Sequence, residues 1–364
     1  MAGSRLPGWL GPAAVALTIY AGIAVAGGAT DHFRFCDLIR IGHFLRPSAL
    51  TPCPAHPTAA GYDGQFYFAI AHDPLLRNPD TAASLDDSLR YRRILYPLAA
   101  WLVSAGHPSL LPDGLVIVNV GAGGVLIAVL AAMAIRLRLS PWWSLLVALF
   151  GGVWMPIARD LTEPLQLMLL AIGMTTGSAL ALLLSSLAKE TSVVALVTET
   201  LRTMRARLWL RASAFGLATI AVVGWSLFVR VFVTGPHASS IFGQFLRPPG
   251  APLIVLVQTV DREPIRATLI AGGLAICVLA VGRVVRAHDG AAWAAAAYAA
   301  VQLGAGAESW HDPVDFYRQM AGAVVLVFVS WAQTRDRLGL VVLWLGALTG
   351  GFSALLLAAG HLPR

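Results

Sequence analysis

Charge is scarce in this chain. Asp, Glu, Lys and Arg together make up 12% of its 364 residues, about half the share of a soluble domain. With 57% hydrophobic residues and a mean hydropathy of +0.71, that shortage excludes the soluble globular class. Cysteine is equally scarce, and three residues cannot staple a disulfide scaffold. The sequence has no internal repeat, no P-loop, no G-x-S-x-G, no H-E-x-x-H and no paired C-x-x-C. Nucleotide hydrolysis, serine hydrolase chemistry and zinc sites therefore lack their usual signals. His32, His43, His56 and His72 are scattered without ligand spacing.

What the chain does have is apolar sequence in runs near 20 residues, the length a bilayer about 30 Å thick requires. Hydropathy places spans near 10–29, 111–134, 141–158, 165–188, 212–232, 266–285, 290–307, 318–333 and 338–359. The expectation is an all-α, polytopic helical bundle of about nine spans, a single integral membrane domain over 1–364. The first run is longer than the apolar core of a signal peptide and reads as an uncleaved span. Segment 165–188 carries "GMTTGS" near its middle, so it is either one span or two half-helices, the latter tolerated where protein or a cavity satisfies the backbone.

Orientation follows from the short loops. Those at 136–140, 202–211, 283–290 and 333–337 each hold at least two Arg, whereas 159–164 and 308–318 carry more acid than base. The positive-inside rule puts the first set and the N-terminus in the cytoplasm. The formal charge of +7 is then a topology signal rather than a nucleic-acid footprint. It also makes 30–94 a long extracytoplasmic loop, and a bond between Cys36 and Cys53 within it stays open, since sequence does not fix their distance. Cys277 reads as packing. Within the loop one helix runs from Asp63 to "HDP", where Pro74 stops it. A second starts near Ser84, where "SLDD" resembles a capping box, and Pro97 bends it or starts a new one. The Ala, Gly and Arg bias suggests a bacterial inner or plasma membrane.

The isolated polar clusters "YDGQFY", "RYRRILYP", "RDLTEP" and "HDPVDFYRQ" all fall on that outer face. Asp63 reads as a helix N-cap, as a catalytic carboxylate walled by Gln65 and Tyr67, or as both. Arg92 and Arg93 are a solvated face, a headgroup anchor, or a guanidinium fork for phosphate, with Tyr96 adding a hydroxyl. Glu163 suits a helix N-terminus on dipole grounds alone. Asp312 opens another span, and Arg318, one turn into it, either snorkels or meets an anion. Lys189 and Glu190 in "LAKETS" are costly at membrane depth, about 2.5–3.5 kcal/mol per charge, and suggest a cavity wall or an interface position.

Taken in order, "YDGQFYFAIAHDP", "RYRRILYPLAAWL", "LTEPLQLMLLAIG", "LAKETS" and "DPVDFYRQMAG" resemble bacterial GT-C-type integral membrane glycosyltransferases. The nearest pattern is the mannosyltransferase-like group of cell-surface glycopolymer formation, and the resemblance runs from about 61 to 320. It implies a polyprenyl-phosphate sugar donor, a glycan or lipid acceptor, a lipid bilayer, no nucleic acid, and an active site on the extracytoplasmic face. It makes Asp63 the catalytic carboxylate and puts Arg92 and Arg93 at the donor phosphate. Glu163, Lys189, Glu190, Asp312 and Arg318 match motif positions lining the cavity. No cofactor is required, although a divalent ion held by Asp63 and Glu163 stays open. One departure is that family members carry a basic loop where only "GMTTGSA" intervenes here. Two other functions compete. A transporter or flippase for a lipid-linked saccharide predicts a matching cytoplasmic polar cluster and an internal repeat. A non-catalytic subunit of a polysaccharide assembly complex predicts that Asp63 tolerates substitution.

Overall fold

Apolar runs of this length fold as helices because backbone groups in hydrocarbon must satisfy one another. The computed structural model describes residues 7–28, 35–42, 53, 61–233 and 250–359, and all of their regular structure is helical. Helix α1 (Leu10–Gly28) precedes the short helices α2 (Gly64–His72) and α3 (Leu95–Val103). Then come α4 (Leu111–Arg136), α5 (Glu163–Thr176), α6 (Ala179–Ala188), α7 (Val193–Arg205) and α8 (Trp209–Phe232). The series ends with α9 (Ala251–Val260), α10 (Pro264–Gly282), α11 (Gly290–Leu303), α12 (Pro313–Thr334) and α13 (Arg337–Ala358).

Among the described residues five helices are long and apolar enough to cross a membrane: α1, α4, α8, α10 and α13. The other four expected spans take different forms. The 141–158 stretch is broken into short turns around Phe150, whose backbone is extended at φ −66° and ψ 130°. The 165–188 stretch is two helices. Gly177, at φ +71°, ends α5 in the left-handed conformation glycine tolerates, and the Ser178 hydroxyl accepts from Ala181 N at 3.2 Å to start α6. The 290–307 stretch yields α11, of 14 residues, and 318–333 lies inside α12.

Helix α12 is the axis of the bundle. Asp312 caps it, its Oδ1 accepting from Val314 N at 2.8 Å, with Pro313 in the first turn. From Met320 to Ala332 every residue is buried, because α5, α10, α11 and α13 pack around it. A helix apolar all round needs such surroundings.

In the loop, α2 ends before Pro74 as expected, but no helix begins at Ser84. Asn78 caps an earlier helix, Pro79–Ala83, its Oδ1 accepting from Asp80 N at 2.9 Å. Ser84 closes that helix by donating to Asp80 O at 2.7 Å, and "SLDD" lacks the longer Glu or Gln that completes a capping box. A 3₁₀ turn, Ser88–Arg93, follows, and α3 starts after it with Pro97 in its first turn.

Cys36 and Cys53 form a disulfide, with Cα atoms 5.4 Å apart and 17 residues of separation. Closing a loop of that size stabilises by roughly 3 kcal/mol in the chain-entropy account. Cys53→Ser is therefore expected to lower the thermal midpoint of detergent-solubilised protein, and added reductant to reproduce the loss in the wild type.

Candidate functional site

Asp63 sits at the N-cap position of α2, yet its side chain makes no capping hydrogen bond. It turns instead toward two guanidiniums from distant parts of the chain. Its Oδ1 is 3.0 Å from Arg90 Nη2, and its Oδ2 is 2.8 Å from Arg318 Nη2 at the start of α12. Burial acts to raise the pKa of this carboxyl, but Arg90 and then Arg318 outweigh it and hold it well below the usual carboxylate range. In that state the Asp63 carboxylate can accept the hydrogen bond of a hydroxyl.

The 3₁₀ turn decides which arginines face the same way. With three residues per turn, positions i and i+3 eclipse, so Arg90 and Arg93 share a face and Arg92 does not. Arg90 donates to Asp86 through Nε and Nη2 at 3.0 and 2.9 Å, and its guanidinium lies 5.1 Å from the centroid of the Phe66 ring. Arg93 grips Glu190 in a fork, Nε to Oε2 at 2.9 Å and Nη2 to Oε1 at 2.6 Å, while its Nη1 donates to the Tyr67 hydroxyl at 2.7 Å.

Behind these, Lys189 Nζ donates to Glu163 Oε1 at 2.6 Å, both side chains almost fully buried. Arg318 joins the two groups: Asp315 Oδ1 lies at 3.0 Å from its Nε and Glu163 Oε1 at 3.7 Å from its Nη1. Tyr62 donates to the same Asp315 oxygen at 2.7 Å. Arg318 thus reaches both Asp63 and Glu163. Among the described residues no group of three or more His, Cys, Asp or Glu is arranged to hold a metal. Deeper still, Gln166 Nε2 donates to Ser192 Oγ at 2.9 Å and to the Tyr298 hydroxyl at 3.3 Å, and Tyr298 in turn donates to Ser192 at 3.0 Å.

These groups surround a cavity of about 350 Å³. Of the residues selected from sequence, Asp63, Arg93, Lys189, Glu190 and Arg318 line it. Glu163 lies beneath, against Lys189, and Tyr67 bears on the cavity through Arg93. Four others do not line it. Gln65 is buried, with Oε1 accepting from Gly42 N at 2.9 Å. Tyr96 is buried against Asn119, which donates to its hydroxyl at 2.7 Å. Asp312 is the cap of α12, and Arg92 is buried outside the cavity lining. Of the arginines on this turn, Arg90 and Arg93 line the cavity and Arg92 does not.

Sequence reading missed Arg90, Thr191, Tyr298, Gln302, Ser309, Asp315 and Gln319, which also line the cavity. A usable signal existed for Arg90, its spacing of three from Arg93. Another was overlooked, since Lys189 is the only lysine in the chain. No protein-family model, curated protein or solved structure matches this chain.

Proposed function

We propose that this chain is a membrane glycosyltransferase of GT-C type, moving a mannose-like sugar from a polyprenyl phosphate to a cell-surface glycan or lipid acceptor outside the membrane. The observation that carries the reading is an ionised Asp63 held between two arginines on the wall of a polar cavity inside an apolar bundle. The disulfide in the same loop supports an oxidising compartment for this face. In the proposed reaction the acceptor hydroxyl oxygen attacks the anomeric carbon, and the bond from that carbon to the phosphate oxygen breaks. The lipid phosphate leaves with the electron pair, and the hydroxyl proton passes to the Asp63 carboxylate as the bond forms. Arg90, Arg93, Arg318 and Lys189 supply positive charge around the leaving phosphate. All four are engaged by carboxylates in the free chain, so substrate binding would exchange those partners for phosphate oxygens.

The test is complementation of a deletion strain with Asp63→Asn. Loss of surface glycan is expected, with normal membrane abundance on a blot. Full rescue would remove Asp63 from the chemistry and leave the transporter or assembly-subunit reading ahead.

One observation favours the transporter reading. A second polar cavity of about 440 Å³ lies at the other ends of α11 and α12, lined by Glu199, Arg202, His288 and Asp289 among others. That is the opposing cluster a transporter needs. Glu199 and Arg202 already satisfy each other, at 2.7 Å, and the sequence holds no repeat, so transfer remains the better reading. Purified protein that forms glycosylated product in detergent, where no compartments exist, separates the two.

A further inference from the structure

The carboxylates that hold the cations of the cavity are not equally fixed. The Glu163 side chain is 1% exposed and locked to Lys189. Asp63 lies between two arginines, and Asp315 accepts from Tyr62 while it holds Arg318. Glu190 differs. Its side chain is 28% exposed, and Arg93 is the one cation in salt-bridge range of it among the described residues. It opens a short 3₁₀ turn after Lys189, whose own side chain is committed to Glu163, so releasing Glu190 leaves the buried pair intact. Arg93, by contrast, is held from a second side. Its Nε–Nη2 edge meets both Glu190 oxygens, at 2.9 and 2.6 Å, while its Nη1 donates to the Tyr67 hydroxyl at 2.7 Å. Tyr67 is buried, its ring edge-on to Tyr96 at 5.8 Å. The guanidinium therefore keeps its aim when Glu190 leaves, and the vacated edge is a two-pronged donor that fits phosphate as it fits carboxylate.

Charge makes that exchange matter for turnover. A lipid phosphate joined to a sugar is a diester with a single negative charge. The lipid phosphate left after transfer is a monoester, which carries about 1.5 to 2 negative charges at pH 7. A wall of cations holds the second more tightly than the first, so the product needs a competitor to dislodge it. We infer that Glu190 is that competitor: it swings out of the Arg93 fork when a lipid phosphate enters, and its return releases the monoester. The inference rests on the cavity being a site of transfer from a lipid phosphate, and it gives Glu190 a part in product release rather than in the chemical step.

The test follows binding and release of farnesyl phosphate, a monoester with a short prenyl tail, on the full chain in surface-captured phosphatidylcholine nanodiscs. Glu190→Gln keeps the size of the side chain and removes its charge. It is expected to bind the probe roughly tenfold more tightly than wild type, the effect of removing a charge-assisted competitor, and the gain should appear as slower release. The gain should vanish when Arg93→Gln is added, because the fork is then gone. Arg93→Lys, which keeps the charge without the fork, takes its place if that double variant fails to fold. A gain that persists without the fork would mean that Glu190 acts only through its charge on the cavity as a whole. No gain, or weaker binding, would mean that it does not compete, and a gain in association alone would remove it from release. Inorganic phosphate that binds as tightly as farnesyl phosphate would overturn the lipid assignment. No gain in Glu190→Gln beside glycan loss in Asp63→Asn would sink this inference and leave the proposed reaction standing, whereas a wild type that binds no probe would count against both.

Discussion

Replacing Lys189 with methionine is expected to cost about 3–5 kcal/mol of folded-state stability, the range for breaking one partner out of a buried ion pair. The substitution leaves Glu163, which is 0% exposed, without its 2.6 Å contact to Nζ. Its second oxygen, Oε2, has no hydrogen-bond partner among the described residues even in the intact pair. Arg318, at 3.7 Å, is the remaining cation, and it is already shared with Asp63 and Asp315. The double variant Lys189→Met, Glu163→Leu should recover most of the loss, because removing both charges removes the uncompensated one. Thermal unfolding of the detergent-solubilised variants measures both. If Lys189→Met costs under about 1 kcal/mol, the pair behaves as a solvated surface bridge, and the carboxylate is reached by water from the cavity. That result would also free Lys189 to contact substrate directly.

How far the sequence revealed this architecture depends on the interaction involved. The end of α2 was legible because Pro74 acts on its own neighbours; its start does fall at Asp63, although that side chain makes no capping bond. So was the weakness of 165–188, where Gly177 and Ser178 end one helix and cap the next. Hydropathy failed at 141–158 because it measures composition and not continuity. There the helix breaks at Phe150, beside close backbone packing: a Cβ on Gly350 would come within 2.0 Å of Leu149 O, and one on Gly152 within 2.2 Å of Tyr317 O. In the site, clusters of several charges were visible, and Asp63, Arg93, Lys189, Glu190 and Arg318 came from them. Single polar residues in apolar runs were passed over. Tyr298 and Gln302 look like ordinary members of an alanine-rich span until α11 turns them toward the cavity. Arg90 and Arg92 differ in which face of the 3₁₀ turn they occupy, and that depends on a three-residue period that a cluster of arginines does not announce.

For the proposed reaction, Gly64→Ala is expected to reduce transfer by roughly a hundredfold, the effect of moving a reactive group by about 1 Å, while costing about 1–3 kcal/mol of stability through overpacking. A Cβ at this position would lie 2.7 Å from Arg159 O and 2.9 Å from Ile39 O. Both are main-chain carbonyls, which cannot swing aside as the end of a side chain can. The first turn of α2 must therefore move, and Asp63 is the residue immediately before it. Slack at the helix junction, the role its position suggests, is not what Gly64 provides; it provides close approach of three backbone segments. Gly121→Ala is the control, since it lies in α4 with nothing within 4 Å of the added carbon and should gain about 0.5–1 kcal/mol from helix propensity. In vitro transfer and thermal midpoint, measured on both variants, separate placement of Asp63 from loss of fold. A Gly64→Ala protein with a near-normal midpoint and little transfer would tie the reaction to the position of Asp63. One with normal transfer would mean that the two carbonyls yield easily, and that Arg90 and Arg318, rather than the backbone, hold the carboxylate in place.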